Sequence, residues 1–247
     1  MPSHIILWPT FLYVIGAVGL PRVRRWLPPR RDTLSVLLWA VTAFFLLLLI
    51  VAGGTDATWA HALWGTAAPN TAPVRFVIDP LARAFVLLAA LVGLGTLVGS
   101  LEEQEQVTSR EYEASLLGVT GGLIALGMAD TLLTWTIAIL VVDSALLFAI
   151  GLVERPKWLA ALFSHFLISD LLVLATLLLL WQQDLGVAAT GDTASLLLLG
   201  AIVFRMAPLP LSLIPLANEP LPQRVMVMLP LTLLGVGGLW LARLERF

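Results

Sequence analysis

The sequence contains no cysteine. That absence excludes disulfides, cysteine-ligated zinc and cysteine-ligated iron–sulfur clusters. Charge is scarce as well: 12% of the 247 residues are Asp, Glu, Lys or Arg, against about 25% in soluble domains. Histidine occurs three times, at His4, His61 and His165, too scattered for a His-rich metal site. No basic stripe lies beside exposed aromatics, so nothing points to nucleic acid. No nucleophile–base pair, Gly-rich nucleotide loop or metal cluster is legible. The chain is therefore not expected to be an enzyme on its own, and neither a cofactor nor a metal is expected. The first apolar run lacks a basic start and a small-residue cleavage site, so it reads as a retained membrane helix rather than a signal peptide.

What fills the chain instead is apolar sequence, 59% of the residues, with a mean hydropathy of +0.96. A spanning helix needs about 20 apolar residues. On that measure the sequence predicts an all-α polytopic membrane protein of about eight transmembrane helices, at about 4–20, 34–53, 78–100, 114–129, 131–153, 157–181, 194–216 and 225–243. The seventh is broken by prolines. The fourth and fifth meet at Ala129-Asp130-Thr131, which requires a tight turn. The stretch 53–75 is Ala, Gly, Thr and Pro with little charge, and reads as an outer-surface excursion. Asp79 before Pro80 is a helix start, with Asp capping free N–H groups and Pro at the first position. Arg83, one turn on, is placed to pair with Asp79 along one face.

Lys and Arg in short loops set orientation. Arg22, Arg24, Arg25, Arg30 and Arg31 crowd the first loop; Arg110, Arg155, Lys157 and Arg224 fall in alternate later ones. All lie on one side if the N-terminus is outside, and with eight helices the C-terminus is then outside too. Arg243 and Arg246 fit this less well. The expected location is the cell (inner) membrane. Trp8, Trp26, Trp59, Trp64, Trp158, Trp181 and Trp240 lie near predicted helix ends, as an interfacial belt does. The third loop carries Glu102, Glu103, Glu105, Glu111 and Glu113, either as a solvated face or as a contact for a neighbouring subunit.

The residues 196–222, LLLLGAIVFRMAPLPLSLIPLANEPLP, organise the rest. Arg205 lies inside an apolar run, and Pro208, Pro210 and Pro215 follow within ten residues. Each proline removes a backbone N–H and disrupts the preceding turn. In hydrocarbon the freed carbonyls need partners in protein or trapped water. A broken helix with a cation at membrane depth usually marks an ion or substrate path. The alternative is a short helix ending near Pro208 with Arg205 snorkelling to the headgroups.

Three further ionisable groups lie deep in apolar runs: Asp143 in the fifth helix, and His165 and Asp170 in the sixth. A lone charge at the bilayer centre costs at least ~3 kcal/mol on the insertion scale. Two acids and one cation neutralise one another if helices five, six and seven surround a common polar axis. His165 and Asp170 are about 140° apart around their helix, so they do not share a narrow face. Asp170 with Arg205 is the preferred pair, leaving Asp143 and His165 for a second polar contact. The plainer readings are a counter-ion role for Asp170, an interfacial place for His165, and a protonated, neutral Asp143.

At these residues the chain resembles a known family. FVIDPLARAFVLLAALVGLGTLVGSL resembles the third helix of the antiporter-like subunits of respiratory complex I and of Mrp-type sodium/proton antiporters. GLIALGMADTLLTWTIAIL resembles their fourth and fifth helices, LISDLLVLATLLLLW the sixth, and LLLLGAIVFRMAPLPLSLIPLANEP the broken seventh. The resemblance covers about 76–222 as a collinear series. It implies an antiporter-like repeat over 76–222, flanked by helices one and two with the outer loop (1–75) and by helix eight (223–247). The family's helix-five glutamate falls at Leu140, so that acid is missing; Asp143, one turn on, substitutes if the helix is slightly rotated. The helix-six aspartate matches Asp170, and the helix-seven lysine matches Arg205. Lysine loses its proton when buried, whereas arginine stays charged, so Arg205 is expected to bias the acids rather than pass protons. The family continues through a second inverted repeat that this sequence does not contain.

The resemblance implies a shortened, antiporter-like membrane subunit of a proton- or sodium-translocating complex, related to NADH:quinone oxidoreductase or Mrp antiporters. Its ion path would use Asp143, Asp170, Arg205 and His165, with other membrane subunits as partners. The alternatives are a scaffold or assembly subunit without pumping, and a homodimeric small-solute carrier.

Overall fold

The computed structural model describes residues 5, 7–23, 29–53, 57–61, 74–99, 110–153, 155–184, 191–206 and 223–243. Among these the chain forms eight helices: α1 (Trp8–Val23), α2 (Pro29–Ala52), α3 (Pro80–Gly99), α4 (Arg110–Met128), α5 (Leu132–Leu152), α6 (Pro156–Asp184), α7 (Gly191–Met206) and α8. The last runs as Gln223–Pro230, passes through a π turn at Leu231–Gly235, and continues as Val236–Arg243. Five helices are long and apolar enough to cross a membrane, with spans at Ser35–Ala52, Pro80–Gly99, Leu132–Leu152, Pro156–Leu180 and Arg224–Arg243. The apolar part of α7, Thr193–Met206, is shorter. Pro208, Pro210 and Pro215, and with them the expected break, lie outside the described residues.

The helix that holds the bundle together is one of those that miss the spanning criteria. Helix α4 is buried around nearly its whole circumference and packs against α1, α3 and α5. Small residues make that possible, since they let backbones approach closely. A Cβ on Gly121 would lie 2.7 Å from the Tyr13 Cβ, and one on Gly122 would lie 2.7 Å from Val142 Cγ2. A helix shielded by protein on every side has no need of the apolarity that lipid contact demands. Helices α6 and α7 pack on one another beyond α5, while α8 reaches α3, α5, α7 and α4.

The excursion at 53–75 is partly regular. β1 (Ala57–His61) and β2 (Val74–Ile78) pair antiparallel, Ala57 opposite Ile78 and His61 opposite Val74. The apolar run FVI before Asp79 therefore belongs to a strand, and helix three begins at Pro80 rather than 78. The expected cap is present: Ala82 N donates to Asp79 Oδ1 at 2.6 Å. The tight turn between α4 and α5 also forms at Ala129-Asp130-Thr131, with Thr131 capping α5 by accepting from Thr134 N at 3.3 Å. The hairpin is fastened to that turn. Asp130 N donates to Arg75 O at 3.0 Å, Arg75 Nε pairs with Asp130 Oδ2 at 3.0 Å, and Arg75 N donates to Thr134 Oγ1 at 3.0 Å.

Candidate functional site

Helices α5 to α8 meet around Arg205, whose side chain is fully buried. It comes from the last turn of α7. Asp143, near the middle of α5 and 3% exposed, closes on it from two sides. Nη1 donates to Asp143 Oδ2 at 2.6 Å and Nη2 to Asp143 Oδ1. Such fork-to-fork pairing is the strongest geometry a guanidinium and a carboxylate adopt. Asp170 of α6 approaches the same Nη1 with Oδ1 at 3.6 Å, beyond hydrogen-bond distance. The third nitrogen, Nε, donates to the Thr232 carbonyl of α8 at 3.4 Å. The Phe166 ring of α6 lies under the guanidinium, its centroid 4.6 Å from Cζ, a cation–π contact that suits a desolvated arginine.

Two local features aim these groups. Pro230 lies within α8 just ahead of the π turn. A proline lacks an N–H and crowds the turn before it, and π turns are where such ladder faults collect. The turn holds Thr232, whose carbonyl serves Arg205 and whose hydroxyl donates to Leu229 O at 2.8 Å. Gly237 then lets α7 come close: a Cβ there would collide with the Met206 Cγ, and Met206 is the residue after Arg205.

Asp143, Asp170 and Arg205 are thus brought together, but not in the expected pairing. The tight partner of Arg205 is Asp143, and Asp170 holds the looser place. Five-residue spacing and helix depth gave no rotational phase for α5 against α7, which is what decided between the two acids. His165 is buried at 7% exposure. It stacks on Phe204, with centroids 4.9 Å apart and planes at 27°, and among the described residues its Nε2 has no hydrogen-bond partner. The expected contact between Asp143 and His165 is replaced by the Asp143–Arg205 fork. Leu140 is 39% exposed, while Asp143, three residues on, is buried.

Sequence reasoning missed a second buried arginine. Arg243, expected at the end of helix eight as a cation that fits the orientation less well, has no exposed surface. It pairs with Asp79 Oδ1 at 3.3 Å and donates through Nη1 to the Ala129 carbonyl. Asp79, the cap of α3, thus also joins the start of α3 to the end of α8. The Ala129 carbonyl also accepts from Trp135 Nε1 at 2.7 Å, and Trp135 packs on Trp240 with ring centroids 5.2 Å apart. The only signal was an arginine three residues after a tryptophan at a helix end, which looks the same as an interfacial pair. Among the described residues no group of three or more His, Cys, Asp or Glu is placed to hold a metal ion.

No family model and no curated protein matches the chain. Solved structures do. A chain of respiratory complex I from Thermus thermophilus with bound aureothin superposes with a TM-score of 0.68 at 21% identity, covering 96% of this chain and 52% of its own. A chain of the membrane-bound sulfane sulfur reductase, an archaeal respiratory membrane complex, superposes with a TM-score of 0.69 at 16% identity, covering 97% of this chain and 40% of its own. The chain therefore spans about half of the first and two fifths of the second. At such identities the likeness is one of fold, and the expectation drawn from the helix motifs holds at that level: this is an all-α, multi-pass membrane chain built like chains of two respiratory complexes.

Proposed function

We propose that the chain is a membrane subunit of a proton- or sodium-translocating complex, related to the respiratory complexes whose fold it shares, and that Asp143, Asp170 and Arg205 form a partial ion path. The observation that carries this reading is the count of charges at the centre of the bundle. Two carboxylates converge on one guanidinium nitrogen, one at 2.6 Å and the other at 3.6 Å. Arginine stays charged, and a surplus carboxylate in a low-dielectric interior is costly. The cluster balances when one of the two acids carries a proton.

In this reading the proton passes between the two acids. While Arg205 is forked on Asp143, Asp170 holds the proton. When Asp170 releases it, the guanidinium swings toward the new carboxylate, and Asp143 becomes the acid able to take a proton. Arg205 gates the exchange without passing a proton itself. His165, buried on α6 against Phe204, is the approach group. Partner subunits supply the rest of the channel and any redox chemistry. The basic loops face inward and both chain ends outward, in the inner membrane.

The fork between Arg205 and Asp143 favours a second reading, a scaffold subunit in which the pair only locks α5 to α7. Charge replacement separates the two. Under the ion-path reading, Asp143→Asn and Asp170→Asn abolish ion movement in native membranes while the complex still assembles. Infrared difference spectra of the purified wild type show a protonated-carboxyl band that Asp170→Asn removes. Undiminished ion flux in both variants, with assembly intact, would leave the scaffold.

A further inference from the structure

At the end of the bundle away from Arg243, the last turns of α1, the first turns of α4 and the last turns of α5 enclose an open groove of about 520 Å³. Its floor lies at Gly118, where a Cβ would already come within 3.2 Å of the Ala145 Cβ. Its walls include Val18 and Phe148, which are 55% and 56% exposed. Its mouth is charged. Arg22, in the last turn of α1, and Glu111, in the first turn of α4, both line it. Neither is in an ion pair among the described residues; the hydrogen bond of Arg22 runs to the Val18 carbonyl of its own helix at 3.4 Å.

That arrangement has a chemical complement. The volume is that of a site for one small amphiphile, within the roughly 300–1,000 Å³ of ligand pockets. The walls are mostly apolar and open to the side. The two charges of opposite sign stand at helix ends, and at the depth of the headgroups basic side chains between helices bind lipid phosphates. An anionic lipid satisfies Arg22 and is repelled by Glu111. A lipid bearing a phosphate followed by an ammonium satisfies both.

We propose that this groove holds one phospholipid with a zwitterionic, primary-ammonium headgroup of the phosphatidylethanolamine type. Its phosphate sits on Arg22, its ammonium on Glu111, and one acyl chain lies over Gly118 and Ala145 between Val18 and Phe148. The inference stands apart from the ion-path reading, since none of these residues touches the Arg205 cluster.

The test is native mass spectrometry of the full chain, delipidated in detergent and titrated separately with phosphatidylethanolamine, phosphatidylcholine and phosphatidylglycerol. One saturable phosphatidylethanolamine adduct per chain is expected, in preference to the other two. Arg22→Gln lowers its affinity about fivefold, the worth of one basic side chain near a lipid surface. Glu111→Gln removes the preference over phosphatidylglycerol. Both residues are exposed at the groove mouth, so folding is unaffected, which circular dichroism checks. Because the chain lacks cysteine, Phe148→Cys offers a single thiol for a photo-crosslinker in native membranes, expected to capture lipid. The proposal is overturned by the absence of a saturable adduct, by a preference for phosphatidylglycerol, by adducts indifferent to both variants, or by capture of a protein chain at position 148.

Discussion

Arg205 and Arg243 are both completely buried, and both tie α8 to other helices, yet their surroundings differ in kind. Arg205 faces two carboxylates from different helices at unequal distances. Arg243 is held by Asp79 and by a backbone carbonyl that Trp135 also engages. A carbonyl in a tight turn neither titrates nor moves. A second carboxylate does both. The same side chain thus becomes a fastening at the end of the bundle and a shared counter-ion at its centre, and the difference lies in what the surplus acceptor is.

The sharpest way to break this comparison is to remove one acid from each place. Stranding a buried arginine costs about 3–5 kcal/mol. Asp79→Ala is expected to reach or exceed that, because it also removes the α3 cap, worth about 1 kcal/mol. Asp143→Ala should cost less, since Asp170 is at hand to take the guanidinium. Thermal unfolding in detergent measures both, and equal losses would show that Asp170 cannot substitute. Gly237→Ala comes next. It drives a methyl into Met206 and should cost about 1–3 kcal/mol of overpacking, with ion movement lost alongside because Arg205 shifts with its neighbour. Trp135→Phe should cost about 1 kcal/mol, the net value of one hydrogen bond, because Arg243 continues to satisfy the Ala129 carbonyl. Smallest in stability is Asp170→Asn, expected to shift unfolding by no more than about 1 kcal/mol, given its 3.6 Å contact. Its effect on ion flux should nevertheless be complete, and that disparity is what distinguishes a working acid from a structural one.

Much of the fold was legible because a bilayer imposes a length on each apolar run. The expected sixth helix, about 157–181, is observed at Pro156–Asp184, and the turn at Ala129-Asp130-Thr131 forms where charge interrupts two apolar stretches. Asp79-Pro80 announced its own helix start. Depth was legible for the same reason: Asp143 and Asp170 lie near the middle of their helices, and they do meet around Arg205. What the sequence could not supply was rotational phase. Helix α5 is apolar nearly all round, so nothing in its periodicity told which way Asp143 points, and the order of the pairing came out reversed. The strand VRFVI is apolar up to Asp79, so its last residue, Ile78, was counted into the apolar run of helix three. The π turn left only Pro230 as its sign.

The two partners of Arg243 lie 114 and 164 residues earlier in the chain. A protein threaded into a membrane in order, from its N-terminus, therefore displays the Asp79 carboxylate and the doubly used Ala129 carbonyl long before their arginine arrives. Arg205 likewise enters before the Thr232 carbonyl that completes its shell. Until α8 is in place, Asp79 and the Ala129 carbonyl lack their arginine, and Arg205 lacks one of its acceptors. The order of synthesis thus leaves these contacts of both arginines to α8, whose arrival draws the start of α3, the turn at Ala129 and the end of α7 together.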